Sequence, residues 1–128
     1  MMQAVTPYLL YEDGEGAAAF LTRAFGFHEV DRAVGGAGGL HLELETELGG
    51  RIYAGQAPAG FRNPAAAGRT SLVYVLVSDV EGHHDRARSE GAEIVEELVD
   101  TPFGHRRYTC RDPQGHEWAF AQVLESAS

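Results

Sequence analysis

The sequence contains no lysine; all ten basic residues are arginine. A Schiff-base mechanism or a lysine general base is therefore excluded. It contains one cysteine, Cys110, so no disulfide can close within the chain, a pattern that points to a reducing, cytoplasmic setting. Cys110 falls mid-strand and reads as a small buried hydrophobe rather than a nucleophile, which would want an open, cationic environment. No apolar run approaches the ~18 residues of a membrane span. The opening Met1-Met2-Gln3-Ala4-Val5 has neither the basic region nor the apolar stretch of a signal peptide, so no membrane partner is expected. Positive charge is also scarce: 19 acidic residues against 10 basic give a net charge of −9. Nucleic acid is a poor partner for such a chain, since phosphate binding needs a basic face. An acidic surface favours solubility and attracts cationic ligands.

What is present is repetition. In Arg111-Asp112-Pro113-Gln114-Gly115-His116-Glu117-Trp118, Pro113 pre-sets a turn. Gly115 can take the left-handed conformation that a three-residue hairpin loop needs. A weaker version lies at Thr46-Glu47-Leu48-Gly49-Gly50-Arg51-Ile52. Self-similarity at a fixed offset marks a repeat. Tyr8/Tyr74, Leu10/Leu76, Asp13/Asp79, Glu15/Glu81, Gly16/Gly82, Gly49/Gly115 and Gln56/Gln122 are identical, each pair 66 residues apart. We read a single α+β domain over 1–128, built from a first βαβββ module at 5–56, a linker at 57–70 rich in proline and glycine, and a second βαβββ module at 71–123.

In the first module, Val5–Tyr11 reads as a strand with Pro7 near its start. Asp13 is a helix N-cap, and Ala17, Phe20, Leu21, Ala24 and Phe25 form an i, i+3, i+4, i+7, i+8 stripe. Gly26 is the stop. Strands follow at about His28–Val34, Leu40–Glu47 and Arg51–Gln56. The Gly35–Gly39 stretch leads into a strand and not a helix, so it is no phosphate cradle. In the second module the strands fall at about Ser71–Val77, Glu93–Val99, Arg106–Arg111 and His116–Val123. A helix runs from Asp79 to about Glu90, with Gly91 as its stop. Leu124–Ser128 reads as a frayed tail.

Tandem βαβββ units with Asp13 and Asp79 at the helix starts, Phe25-Gly26-Phe27 after the first helix and Asp112-Pro113-Gln114-Gly115-His116 in the last hairpin resemble the vicinal oxygen chelate superfamily of glyoxalases, bleomycin-resistance-type proteins and extradiol dioxygenases. The resemblance covers about residues 5 to 122. It implies an incomplete barrel around a cleft, often completed across a homodimer. In metal-dependent members the ligands come from the first and last strands of each module. Carried onto this chain, those positions are Thr6, Tyr53, Leu72 and Ala119, none of them His, Asp or Glu. A slip of two residues brings in Tyr8, Tyr74, Arg51 or Gly55, and Glu117 or Ala121, supplying one carboxylate at most. No metal and no cofactor are expected.

Side chains alternate across a strand. If Thr6 and Leu72 face the cleft, so do Tyr8, Leu10, Tyr74 and Leu76, while Val73, Val75 and Val77 face the helices. Leu40, Leu42 and Leu44 take the helix side of their strand; His41, Glu43 and Glu45 take the other, which is either cleft or solvent. Trp118 and Phe120 pack inward, leaving Glu117 and Ala119 on the cleft with Arg107 and Thr109. The candidate ligand-binding residues are Tyr8, His41, Glu43, Tyr53, Tyr74, Arg107 and Glu117. Aromatic faces beside carboxylates suit a planar or cationic organic molecule. Of the other histidines, His83 and His84 are expected on the helix surface or in helix packing, and His116 in a local hydrogen bond.

Three functions are compatible with these residues. The first is a non-catalytic small-molecule binder of the bleomycin-resistance type, sequestering a cationic or planar drug. The second is a metal-dependent glyoxalase- or dioxygenase-type enzyme with non-standard ligands such as His41 with Glu43, Glu45 or Glu117. The third is a metal-free lyase or isomerase with His41 as base.

Overall fold

Each long helix begins at an aspartate, and the repeated residues explain how. In the computed structural model, which describes residues 3–34 and 39–125, Asp13 caps α1 (Gly14–Phe25) by accepting from Gly16 N at 2.9 Å. Asp79 caps the corresponding helix (Val80–Ser89) by accepting from Gly82 N at 3.1 Å. A Cβ on Gly16 or Gly82 would run into the capping carboxylate, so both copies keep glycine. The two glutamines complete the cap: Gln56 Oε1 accepts from Gly14 N at 2.8 Å and Gln122 Oε1 from Val80 N at 3.0 Å. Four of the first-turn donors that the two helices leave unpaired thus find partners through residues visible as a repeat.

The strands are β1 (Tyr8–Tyr11), β2 (His28–Val34), β3 (Leu40–Glu45), β4 (Arg51–Gln56), β5 (Leu72–Leu76), β6 (Glu93–Asp100), β7 (His105–Arg111) and β8 (Glu117–Val123). They form two four-stranded sheets of the same order, β1-β4-β3-β2 and β5-β8-β7-β6. In each, the first strand lies parallel to the last and the other neighbours are antiparallel. The register also repeats: Tyr8 pairs with Tyr53, and Tyr74 with Ala119.

The hairpin closing β7 and β8 is a three-residue loop. Asp112 N donates to His116 O, and Gly115 N to Asp112 O, both at 2.9 Å. Gly115 sits at φ 99°, a conformation costly for any residue with a Cβ. Added bulk there would also strike the backbone of Ala65. Thr46–Gly50 closes the same way, and so does Thr101–His105, a third copy with Pro102 where the last hairpin has Pro113.

The helix-facing sides of both sheets share one core. Trp118, Phe120, Tyr108, Leu42 and Leu44 are fully buried. Phe25 of α1 meets Trp118 and Phe120 at ring-centroid distances of 5.3 and 4.7 Å, and α1 packs on the second long helix. Polar ties cross between the modules as well. Tyr11 Oη donates to Asp112 Oδ2 at 2.6 Å, and Gln114 bonds both backbone groups of Asp13.

Several expectations need correction. β1 is shorter than Val5–Tyr11. Pro7 has no N–H, and the Gln3 side chain instead bonds both backbone groups of Arg51, at 3.0 and 2.6 Å. The 57–70 segment carries a one-turn helix, α2 (Pro64–Ala67), with Pro64 in its first turn, so the second long helix is α3. His116 bonds across the modules and not locally: Nε2 donates to Leu10 O at 2.7 Å. Leu124 is anchored through its N–H to Gly104 O at 2.8 Å. The Gly35–Gly38 stretch and residues 126–128 lie outside the described residues. Among the described residues, no helix is long and apolar enough to cross a membrane.

Candidate functional site

The face of the first sheet turned away from the helices gathers four of the seven candidates. Because β4 lies between β1 and β3, Tyr53 sits between Tyr8 and Glu43 in register. The Tyr53 ring meets Tyr8 edge-on at 5.7 Å and His41 at 4.9 Å. Tyr8 Oη and His41 Nδ1 are 2.8 Å apart. Glu43 lies 3.6 Å from His41 Nε2, which favours a proton on Nε2; Nδ1 then accepts from the tyrosine hydroxyl. Arg51 spans the two acids, 3.5 Å from Glu43 and 3.6 Å from Glu45. The result is a partly exposed aromatic patch with an acidic border.

The other three candidates gather on the second sheet. Tyr74, Arg107 and Glu117 line a cavity of about 340 Å³, walled by Leu72 and Val95 and floored by Ala119. Glu117 is held by Arg111 at 3.1 Å and lies 3.7 Å from Arg69. Arg107 Nη2 lies 3.4 Å from Glu96, and its buried Nε meets no acceptor among the described residues. A further cavity of about 260 Å³ runs between the modules, with Pro7, Arg51 and Ile52 on one side and Tyr74 and Leu76 on the other.

Sequence reasoning passed over His105. Its Nδ1 lies 2.8 Å from Tyr74 Oη, giving the second module its own Tyr–His pair. The partner is shifted, because the residue 66 places after His41 is Arg107; strict repeat alignment hides the pair. Arg69 was also missed. Only the fold brings Arg69, from the linker, beside Glu117.

Other titratable groups are structural. His83 Nδ1 lies 2.5 Å from Tyr108 Oη, and Nε2 donates to Phe25 O at 3.0 Å; burial pushes the imidazole down to about 4. Burial and the nearby Asp112 and Glu117 charges push the Cys110 thiol up to about 12, so it stays protonated and unreactive. Burial beside Asp112 likewise raises the Tyr11 phenol.

At the family's metal positions stand Thr6, Tyr53, Leu72 and Ala119, which offer no imidazole or carboxylate. No group of three His, Cys, Asp or Glu side chains among the described residues is placed to hold a metal ion. This donor set does not fit a first-row metal.

Comparison with known proteins agrees with this architecture. Residues 4–120 match the family described as the Glyoxalase/Bleomycin resistance protein/Dioxygenase superfamily. An uncharacterized protein of Mycobacterium bovis is 30% identical over 131 aligned residues, covering 98% of this chain and 86% of its own. The crystal structure of TioX from Micromonospora sp. ML1 is 32% identical, covers 98% of this chain and 100% of its own, and superposes with a TM-score of 0.72. FosX, a fosfomycin resistance protein from Listeria monocytogenes, shares the fold at 13% identity and a TM-score of 0.68, covering 97% of this chain and 95% of its own. The chain belongs to the glyoxalase/bleomycin resistance protein/dioxygenase superfamily.

Proposed function

We propose that this protein is a non-catalytic, cytoplasmic binder of a small organic molecule, planar or cationic, which it sequesters. One observation carries the reading: Tyr8, His41 and Tyr53 form a partly exposed aromatic cluster with Glu43 beside it. Rings of this kind stack on planar molecules, and their faces together with a carboxylate attract cations. The absence of metal-ligand chemistry at Thr6, Tyr53, Leu72 and Ala119 argues against the metal-dependent alternative. Apolar faces outside the second-sheet cavity are also exposed, with Val34 at 71%, Phe103 at 61% and Val123 at 58%. A second copy of the chain would cover such faces, and we expect a homodimer.

Calorimetric titration with proflavine, a planar cation, tests the reading. Micromolar binding is expected, weakened at least tenfold by Tyr8→Ala or Glu43→Gln. Binding no tighter than millimolar for proflavine and for comparable planar or cationic compounds overturns it. Sedimentation of the free chain as a monomer at micromolar concentration would remove the dimer.

A further inference from the structure

Arg107 is the polar group whose surroundings ask most plainly for something else. Its Nε is buried without an acceptor among the described residues. Native proteins pair nearly all their buried donors, and an exception calls for a reason. Its one ion-pair contact among the described residues, Glu96 at 3.4 Å, is 47% exposed, and such pairs contribute little. Glu96 is also engaged by the Thr109 hydroxyl at 3.3 Å. The other nearby acid, Glu117, is already neutralised by Arg111. The guanidinium is thus a cation with spare donors on the wall of a cavity of about 340 Å³, room for a molecule of one or two rings.

Its neighbours define what would fit. Tyr74 presents a partly exposed ring, Leu72 and Val95 are apolar, and Ala119 leaves the floor low. In the first module the same strand positions carry Tyr53 for Ala119, His41 for Arg107 and Glu43 for Thr109. The second module has therefore lost a ring that would fill the floor, exchanged a carboxylate for a hydroxyl, and gained a permanent positive charge. A planar fork of N–H donors matches a carboxylate, which accepts two parallel hydrogen bonds.

We propose that the second-module cavity is an oxyanion subsite, in which Arg107 takes the carboxylate of an aromatic acid whose ring lies against Tyr74 between Leu72 and Val95. The proposal rests on the reading of this chain as a small-molecule binder and names a ligand class for its second sheet.

Titrating the full chain with 2-naphthoate and with 2-naphthamide, which has the same rings and no charge, separates the possibilities. Naphthoate is expected to bind at least tenfold more tightly than the amide. Arg107→Met should abolish that preference, and Arg107→Lys, which keeps the charge but not the fork, should retain part of it. Arg62→Met, on the exposed linker, should change nothing. Circular dichroism establishes that each variant is folded; if Arg107→Met is not, the acid–amide ratio and Arg107→Lys still decide. Equal affinities for acid and amide, no naphthoate binding, or naphthoate binding unaltered in a folded Arg107 variant would each overturn the subsite. Proflavine reports separately on the first-module face. Naphthoate bound through Arg107 without proflavine binding removes the cationic reading and leaves the subsite standing; the reverse outcome removes the subsite alone.

Discussion

Tyr53 and Ala119 hold the same place in two sheets of one design, in register with Tyr8 and with Tyr74. Around Tyr53 the face is filled with rings and bordered by Glu43 and Glu45. Around Ala119 it is hollow and faces Arg107. Beneath these faces the two modules share the aspartate caps, the glutamine braces and the hairpin glycines. The contrast separates two kinds of constraint. Positions that end helices and turn strands must satisfy backbone geometry and stay alike in both copies. Outward positions of a sheet face no such demand and are free to acquire different chemistry.

The deepest test of this comparison is whether the shared part is one cooperative unit. Phe25→Ala in the first module and Phe120→Ala in the second both open the aromatic core that joins them. Each should cost about 3–5 kcal/mol, and chemical denaturation should retain a single transition. Two separable transitions would break the idea of a common core.

A smaller effect distinguishes equivalent turn positions. Buried Asp112 accepts from Tyr11 Oη, Trp118 Nε1, Gln114 N and His116 N. Its counterpart, Thr46, accepts from Gly50 N at 3.1 Å. Asp112→Ala should cost about 3 kcal/mol and Thr46→Ala about 1 kcal/mol, since the former strands several buried donors. Equal losses in urea melts would show that the modules are tied no more tightly at one hairpin than at the other.

His83 supplies a pH signature that the first module lacks, because Ala17 stands 66 residues before it. The unfolded imidazole takes its proton near 6.5 and the folded one near 4. Between these values the unfolded state holds more protons, so stability is fully present above pH 6.5 and falls as the pH is lowered toward 4. The loss should reach about 2–3 kcal/mol. His83→Gln should flatten this part of the stability–pH curve; an unchanged slope would remove the role assigned to its burial.

Least affected should be the two Tyr–His pairs. Tyr8→Phe and Tyr74→Phe each delete one hydrogen bond on an exposed face, a change of about 0.5 kcal/mol or less in thermal unfolding. A larger loss at one pair alone would mark that face as structurally committed.

Local chemistry was legible in the residues themselves. The caps at Asp13 and Asp79, the stop at Gly26, the turn at Gly115 and the inward packing of Trp118 and Phe120 each follow from short-range geometry and alternation. Such features depend on a few neighbours in the chain, and their recurrence 66 residues apart made the plan readable twice. The pairing of Tyr74 with His105, the approach of Arg69 to Glu117 and the reach of His116 to Leu10 O were not legible. These contacts join residues 31, 48 and 106 positions apart, and their formation depends on how two sheets and a linker settle against one core. Sequence alone determined a twofold scaffold with aromatic and charged residues on one face of its strands. Only the tertiary structure decided that one sheet carries a filled acidic patch and the other an open cavity beside an arginine, because side-chain volume and spare hydrogen-bonding capacity are fixed by packing and not by order along the chain.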